Sequence, residues 1–187
     1  LRGLWDASES ELHDKLTDIQ TQAVLENRTE KSVLDYEKRL QERDMTYVYP
    51  GHECYPFRLY DIPDPPMLLF VAGDVTLLRD MKTALAVVGA RKASVYGKTV
   101  TDRIVGCAAA AGVTIVSGMA LGIDGAAHRA ALTAGGRTVA VLGSGINVPY
   151  PRENYDIYHD IVKGGGVVVS ENGLDVAPEA FRFPYRN

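Results

Sequence analysis

Cysteine is scarce. Only Cys54 and Cys107 occur among 187 residues, far apart and with no Cys-x-x-Cys pair. That excludes a disulfide scaffold and a cysteine-based zinc module, and it suits a reducing compartment such as the cytoplasm. The four histidines, His13, His52, His128 and His159, never fall in a His-Glu-x-x-His spacing, so no metal site is expected. No apolar run approaches the ~18–20 residues of a membrane-spanning helix, and no membrane partner is expected. The chain opens at Leu1 without a signal-peptide pattern, so its first residue reads as a boundary and not a natural start. Three chemical signatures are missing as well. There is no G-x-x-x-x-G-K-S/T phosphate loop, no complete G-x-G-x-x-G after a strand, and no G-x-S-x-G nucleophile elbow. Neither a cofactor nor a catalytic residue is expected.

Charge of one sign is also lacking. Lys and Arg number 20 against 24 Asp and Glu, a formal net charge of −4. This excludes a histone-like, wholly cationic nucleic-acid binder, but not a local basic groove. The balance is uneven. Residues 1–83 hold ten basic and sixteen acidic side chains, net −6, whereas residues 84–187 hold ten and eight, net +2. With 46% apolar and 24% charged residues, the chain is a globular protein able to bury a sizeable core. Its length fits one domain, or one domain with a small appendage.

Residues 1–45 read as helical. Leu4, Leu12, Leu16, Ile19, Ala23 and Val24 recur at helical spacing among charges that read as a solvated face. Residues 46–49 have strand character and end at Pro50-Gly51. Residues 55–66 carry four prolines and form a rigid connector, because proline fixes φ and removes an amide donor. Residues 67–73 are an apolar run of strand length. From residue 84 strands and helices alternate: strands at 84–88, 113–116, 138–142 and 167–169, and helices at 96–111, 124–134 and 153–163, each helix followed by glycine. Continuous Val, Ile and Ala runs imply strands covered on both faces. The class is therefore α/β, a doubly wound, mostly parallel sheet preceded by a small helical segment.

In such a sheet ligands bind beyond the carboxyl ends of the strands. Four glycine-bearing loops lie there: Gly89-Ala90-Arg91-Lys92, Ser117-Gly118-Met119-Ala120-Leu121-Gly122, Gly143-Ser144-Gly145 and Ser170-Glu171-Asn172-Gly173. Glycines let backbone amides approach an anion, and Arg91 with Lys92 adds positive charge. A tight turn alone explains any one of these loops; four in register with an Arg-Lys pair point to a phosphate-binding pocket. Ser117 with His128 as base would make a nucleophile pair, but His128 lies on the following helix and reads as structural. Asp124 caps that helix or supports its loop. Glu171 is either a ribose-binding or catalytic acid, or a loop hydrogen-bonding group. The segment Phe181-Arg182-Phe183-Pro184-Tyr185-Arg186-Asn187 interleaves aromatics that stack bases with arginines that hold phosphates, although a packed loop would look similar.

Four phrases in order carry a resemblance: Val88-Gly89-Ala90-Arg91-Lys92-Ala93-Ser94, Ser117-Gly118-Met119-Ala120-Leu121-Gly122-Ile123-Asp124, Leu142-Gly143-Ser144-Gly145-Ile146 leading to Tyr150-Pro151, and Phe183-Pro184-x-Arg186-Asn187. Over residues 46–187 the sequence resembles the DNA-processing protein A family (DprA, also called Smf); residues 1–45 match only loosely, as part of a SAM-like helical region. The resemblance implies a bacterial cytoplasmic protein with an extended Rossmann-like domain. It implies single-stranded DNA as ligand, RecA recombinase as partner during natural transformation, a homodimer, and binding without catalytic turnover. Carried over by motif, Arg91 contacts phosphate beside Lys92 and Gly89. Ser117, Gly118 and Gly122 form the second loop of the pocket. Phe183 stacks a base, and Arg186 with Asn187 completes the site. Family sequences run on past Arg-Asn, so dimerisation and full affinity depend on family residues beyond the position of Asn187. The competing reading is a Rossmann-type nucleotide-binding sensor or enzyme.

Overall fold

The computed structural model describes residues 5–183. The chain divides into two compact units, Leu1–Arg43 and Asp44–Asn187.

Three helices of the first unit have strong start signals among the described residues: α1 (Glu9–His13), α2 (Asp18–Asn27) and α3 (Glu30–Gln41). Ser8 and Glu11 form a reciprocal capping box at α1, the Ser8 amide donating to Glu11 Oε2 at 2.8 Å. Thr17 and Gln20 do the same at α2, and Thr29 caps α3 through the Ser32 amide at 3.1 Å. Each box satisfies two amides that a helix start leaves without partners. Only Leu12, Thr21 and Leu40 are buried among the helix residues, so the charges face solvent as their spacing implies.

The second unit is built on a six-stranded mixed sheet: β1 (Met45–Val48), β2 (Leu69–Gly73), β3 (Ala84–Ala86), β4 (Thr114–Ser117), β5 (Thr138–Leu142) and β6 (Val167–Ser170), in the order β1-β2-β6-β5-β4-β3. β3 through β6 pair in parallel, while β1 with β2 and β2 with β6 are antiparallel. Among the described residues the unit also has helices α4 (Thr76–Asp80), α5 (Val95–Ala110), α6 (Ile123–Thr133) and α7 (Tyr155–Lys163). The α/β class expected from the alternation of strands and helices is the one observed.

The order of the parallel strands settles where the helices go. β3 to β6 lie side by side in chain order, so each right-handed crossover steps the same way. α5, α6 and α7 therefore line one face, α5 against α6 and α6 against α7. Val105 and Ala109 of α5 meet Ala127, Ala130 and Ala131 of α6 over Ile115 of β4. The opposite face carries Val71, Val139, Val167 and Val169, covered by Cys54 and Tyr55 of the connector and by Leu77 and Leu78 of α4. β2, β4, β5 and β6 are thus enclosed on both sides, as their continuous apolar runs require, whereas β3, at the sheet edge, leaves Leu85 and Ala86 exposed, contrary to the covering expected for 84–88. Each fully enclosed aliphatic side chain contributes about 1.5–3 kcal/mol.

Two elements add to those expected from the sequence. A 3-10 turn (Phe57–Asp61) sits within the proline connector, and α4 follows β2. The start signal of α4 is Asp74, whose Oδ1 accepts from the Thr76 amide and hydroxyl. The strand expected at 84–88 ends as a ladder at Ala86, although the Val87 amide still donates to the Val116 carbonyl at 2.9 Å. Gly112, at φ +84°, closes α5 in a conformation side chains rarely adopt.

His128 lies on α6 and is fully buried. Thr138 Oγ1 donates to the Ile115 carbonyl and so accepts from His128 Nδ1, both at 2.8 Å. Nε2 makes no hydrogen bond of good geometry. Burial pushes the imidazole down to about 3, against a smaller upward pull from the Ser117 backbone. It is a neutral core group, and Ser117 Oγ donates instead to the Val87 carbonyl at 2.6 Å, so the two do not form a nucleophile pair. Because the folded value lies below the unfolded ~6.5, the unfolded chain binds the extra proton. Stability should fall as pH drops from about 6.5 toward 3. Chemical denaturation across that range should show a slope smaller by close to one proton in a His128→Gln chain; equal slopes would contradict the assignment.

Candidate nucleic-acid interface

Parallel pairing brings the carboxyl ends of β3, β4, β5 and β6 to one edge, and with them the four glycine loops. The loops are tied to one another by backbone contacts. Ser117 Oγ holds the end of β3 through the Val87 carbonyl. The Ile123 amide, at the start of α6, donates to the Ala90 carbonyl at 3.3 Å. Gly122, at φ +84°, lets this happen: a Cβ there would collide with the Ala90 oxygen and stand 2.6 Å from that of Arg91. Asn154 Nδ2 donates to the carbonyls of Met119 (2.9 Å) and Ala120 (3.0 Å), joining the loop after β5 to the loop after β4. Met119 itself is buried at φ +57°, an uncommon conformation for a residue with a side chain.

The loop after β6 is stapled in turn. The Gly145 amide donates to the Val176 carbonyl at 2.8 Å, Ser170 Oγ donates to the Ser144 carbonyl at 2.6 Å, and Asn147 and Asp175 exchange two bonds. Arg182 donates from Nη1 to Asn172 Oδ1 at 2.7 Å and from Nε to Glu179 Oε2 at 2.9 Å. These bonds deliver Phe183 onto Gly143, where a Cβ would lie 2.7 Å from the ring. The Arg91 guanidinium stands 5.6 Å from the Phe183 ring centroid, within cation–π range. The Tyr150 ring lies 5.6 Å from the same centroid at 33°. Together Arg91, Gly118, Ala120, Leu121, Tyr150, Pro151 and Phe183 line an open cleft of about 60 Å³.

The expected site residues are therefore sorted by the geometry. Arg91, Gly118 and Phe183 meet in the cleft. Gly89 and Gly122 stand behind it and permit loop contacts, Gly89 against the Ile123 side chain. Lys92 is exposed beside Arg91 in the chain but is not part of the lining. Ser117 is 4% exposed, and its hydroxyl proton is engaged by Val87, so it is a strut behind the cleft. Arg186 and Asn187 lie outside the described residues. Asp124 is buried in the first turn of α6, while the cap position belongs to Gly122 with no side-chain bond. Glu171 is exposed at the end of β6, and partial burial followed by the Asp64 charge holds its carboxyl above the usual range. Tyr150 was legible as part of the phrase after the third parallel strand, but not as a neighbour of Phe183.

A larger furrow of about 650 Å³ runs along α5 and α6, lined by Gly106, Gly125, Ala126 and Ala130 with Lys98 and Asp102. Its Arg129 is ion-paired with Asp156. It lacks the convergence of cation and aromatic found in the cleft. Among the described residues no group of His, Cys, Asp and Glu is placed to hold a metal, and no helix is long and apolar enough to cross a membrane.

The model of the DNA recombination-mediator protein A family matches residues 46–187. The chain belongs to that family. Protein Smf of Escherichia coli K12 is 38% identical over 191 residues, covering 98% of this chain and 50% of the relative. DNA processing protein DprA of Bacillus subtilis is 40% identical, covering 79% and 49%. The chain thus spans about half the length of the curated relatives it matches. The X-ray structure of DprA from Streptococcus pneumoniae superposes with a TM-score of 0.75 at 31% identity, over 97% of this chain and 62% of that one. A DprA structure from Helicobacter pylori, described for its single-stranded DNA binding mode, gives 0.68 at 30% identity over 76% and 62%. The Rossmann-like α/β fold is thereby shared with DprA structures, and the family match covers β1 from Thr46 and every loop of the cleft.

The approach of Gly122 to the Ala90–Arg91 backbone fixes where the Arg91 loop sits. Gly122→Ala should force these loops apart, lowering the unfolding midpoint and weakening ligand binding together. Thermal unfolding and oligonucleotide titration of the variant check this; unchanged midpoint and affinity would contradict the tight approach.

Proposed function

We propose that this chain binds single-stranded DNA in the cleft at the carboxyl edge of β3–β6. Arg91 holds a phosphate and Phe183 stacks a base. The observation that carries the reading is the meeting of Arg91 and Phe183, far apart in the unit's sequence, on one cleft wall. A guanidinium beside a half-buried ring that lines a cleft supplies both ingredients of sequence-tolerant single-strand binding. The stapled loops hold both groups in place before any strand arrives, which lowers the ordering cost of binding.

The same reading gives the segment of residues 46–187 the role of DNA-binding core and leaves residues 1–45 as a partial helical appendage. It assigns the chain to a cytoplasmic recombination mediator that protects incoming strands and helps to load RecA recombinase in natural transformation. The mediator acts as a homodimer and by binding, without turnover. Lys92, Arg186 and Asn187 extend the basic rim around the cleft. The relatives' names as DNA-processing proteins and the single-strand binding described for the Helicobacter pylori protein support this assignment. A nucleotide sensor or enzyme fits less well. The sequence lacks the complete G-x-G-x-x-G that holds a dinucleotide pyrophosphate.

Arg91→Ala should weaken binding of all single-stranded sequences alike and reduce the slope of log affinity against log salt by roughly 0.7, one phosphate contact. Fluorescence anisotropy at several salt concentrations measures both. Wild-type affinity and slope in the variant would overturn the pocket assignment.

A further inference from the structure

We propose that Tyr150 is a second base-stacking platform, presenting its ring to the nucleotide next to the one on Phe183; this rests on the single-strand reading above. Tyr150 sits in the loop after β5 and is 45% exposed. An aromatic placed there for packing would be covered, as Tyr158 is at 6%, with its hydroxyl donating to the Ile146 carbonyl. The backbone that carries Tyr150 is held firmly nonetheless. Ser144 Oγ donates to the Val148 carbonyl at 2.6 Å, Asn147 is bonded to Asp175, and Pro151 is buried. The ring is therefore displayed by a braced loop and does not hang from a loose one.

The geometry of the two rings decides how they share a strand. Their centroids are 5.6 Å apart at an interplanar angle of 33°. A base sandwiched between two rings needs near-parallel faces about 7 Å apart, twice the ~3.5 Å contact distance. No base enters between Tyr150 and Phe183. Their rings instead adjoin in the lining of one cleft, which Arg91 shares. Adjoining aromatic faces in a cationic groove are the arrangement on which successive bases of a single strand stack. The cleft then reads two neighbouring bases, and Tyr150 contributes contact area independently of Phe183.

The test uses the full chain and a fluorescent oligothymidylate of about a dozen nucleotides. Tyr150→Ala should lose roughly 5- to 150-fold in affinity, and Tyr150→Trp should keep it. The loss should persist in a Phe183→Ala background, with a size altered by coupling because the two rings adjoin. An unaffected Tyr150→Ala chain, or a Tyr150→Ala effect that vanishes without Phe183, would each overturn the proposal. Loss of binding in Arg91→Ala and Phe183→Ala with no loss in Tyr150→Ala removes only this inference. Full binding in all three variants removes the single-strand reading itself.

Discussion

Phe183 rests on Gly143, and its ring meets the Arg91 guanidinium. The rest of the site depends on this contact. Arg91 follows β3, Gly143 follows β5, and Phe183 lies in the segment that follows β6. The contact can form only if three strands deliver their carboxyl ends to one edge in the right order. It also needs a residue without a Cβ at position 143, because one there would stand 2.7 Å from the ring. A cation and an aromatic face are thus brought together by topology, while the hydrogen bonds from Arg182, Asn172 and the Asn147–Asp175 pair fix how they meet.

The core and the site make different demands on the same strands. β5 and β6 are covered on one face by Tyr55 of the connector and by α4, and on the other by helices, which pins the sheet. β3 is short and partly exposed, and the Arg91 loop leaves from it. The position of that loop is set chiefly by Gly122, Ser117 and Ile123, which belong to the neighbouring strand–helix turn. The weak net charge of the chain fits the same division. A binding rim of a few arginines needs no cationic surface elsewhere, because phosphate contacts act at short range under physiological screening.

Much of this was legible from residues alone. Helical spacing among charges marked the first helices, and Val-rich runs alternating with helices that end in glycine marked the parallel strands. Arg91, Gly118 and Phe183 could be expected at one edge because parallel strands send their following loops there, and they line one cleft. Other features needed coordinates. Ser117 looks like a ligand-facing hydroxyl in sequence, yet it points at the Val87 carbonyl, a long-range bond that local pattern does not encode. α4 is five residues long, too short for periodicity to declare it. Tyr150 belongs to a phrase that marks the family, but the sequence does not show that its ring lies beside Phe183, 33 positions away.

The most direct test of DNA binding at this edge is a map of where a single strand touches the protein. Photo-cross-linking of a thymidine oligonucleotide to the full chain, followed by mass spectrometric location of the adducts, supplies it. Adducts are expected in the loops after β3, β4 and β5 and at Phe183, all displaced by excess unlabelled single strand. Adducts confined to α1–α3, or to the outer surface of α5–α7, would contradict binding in the cleft.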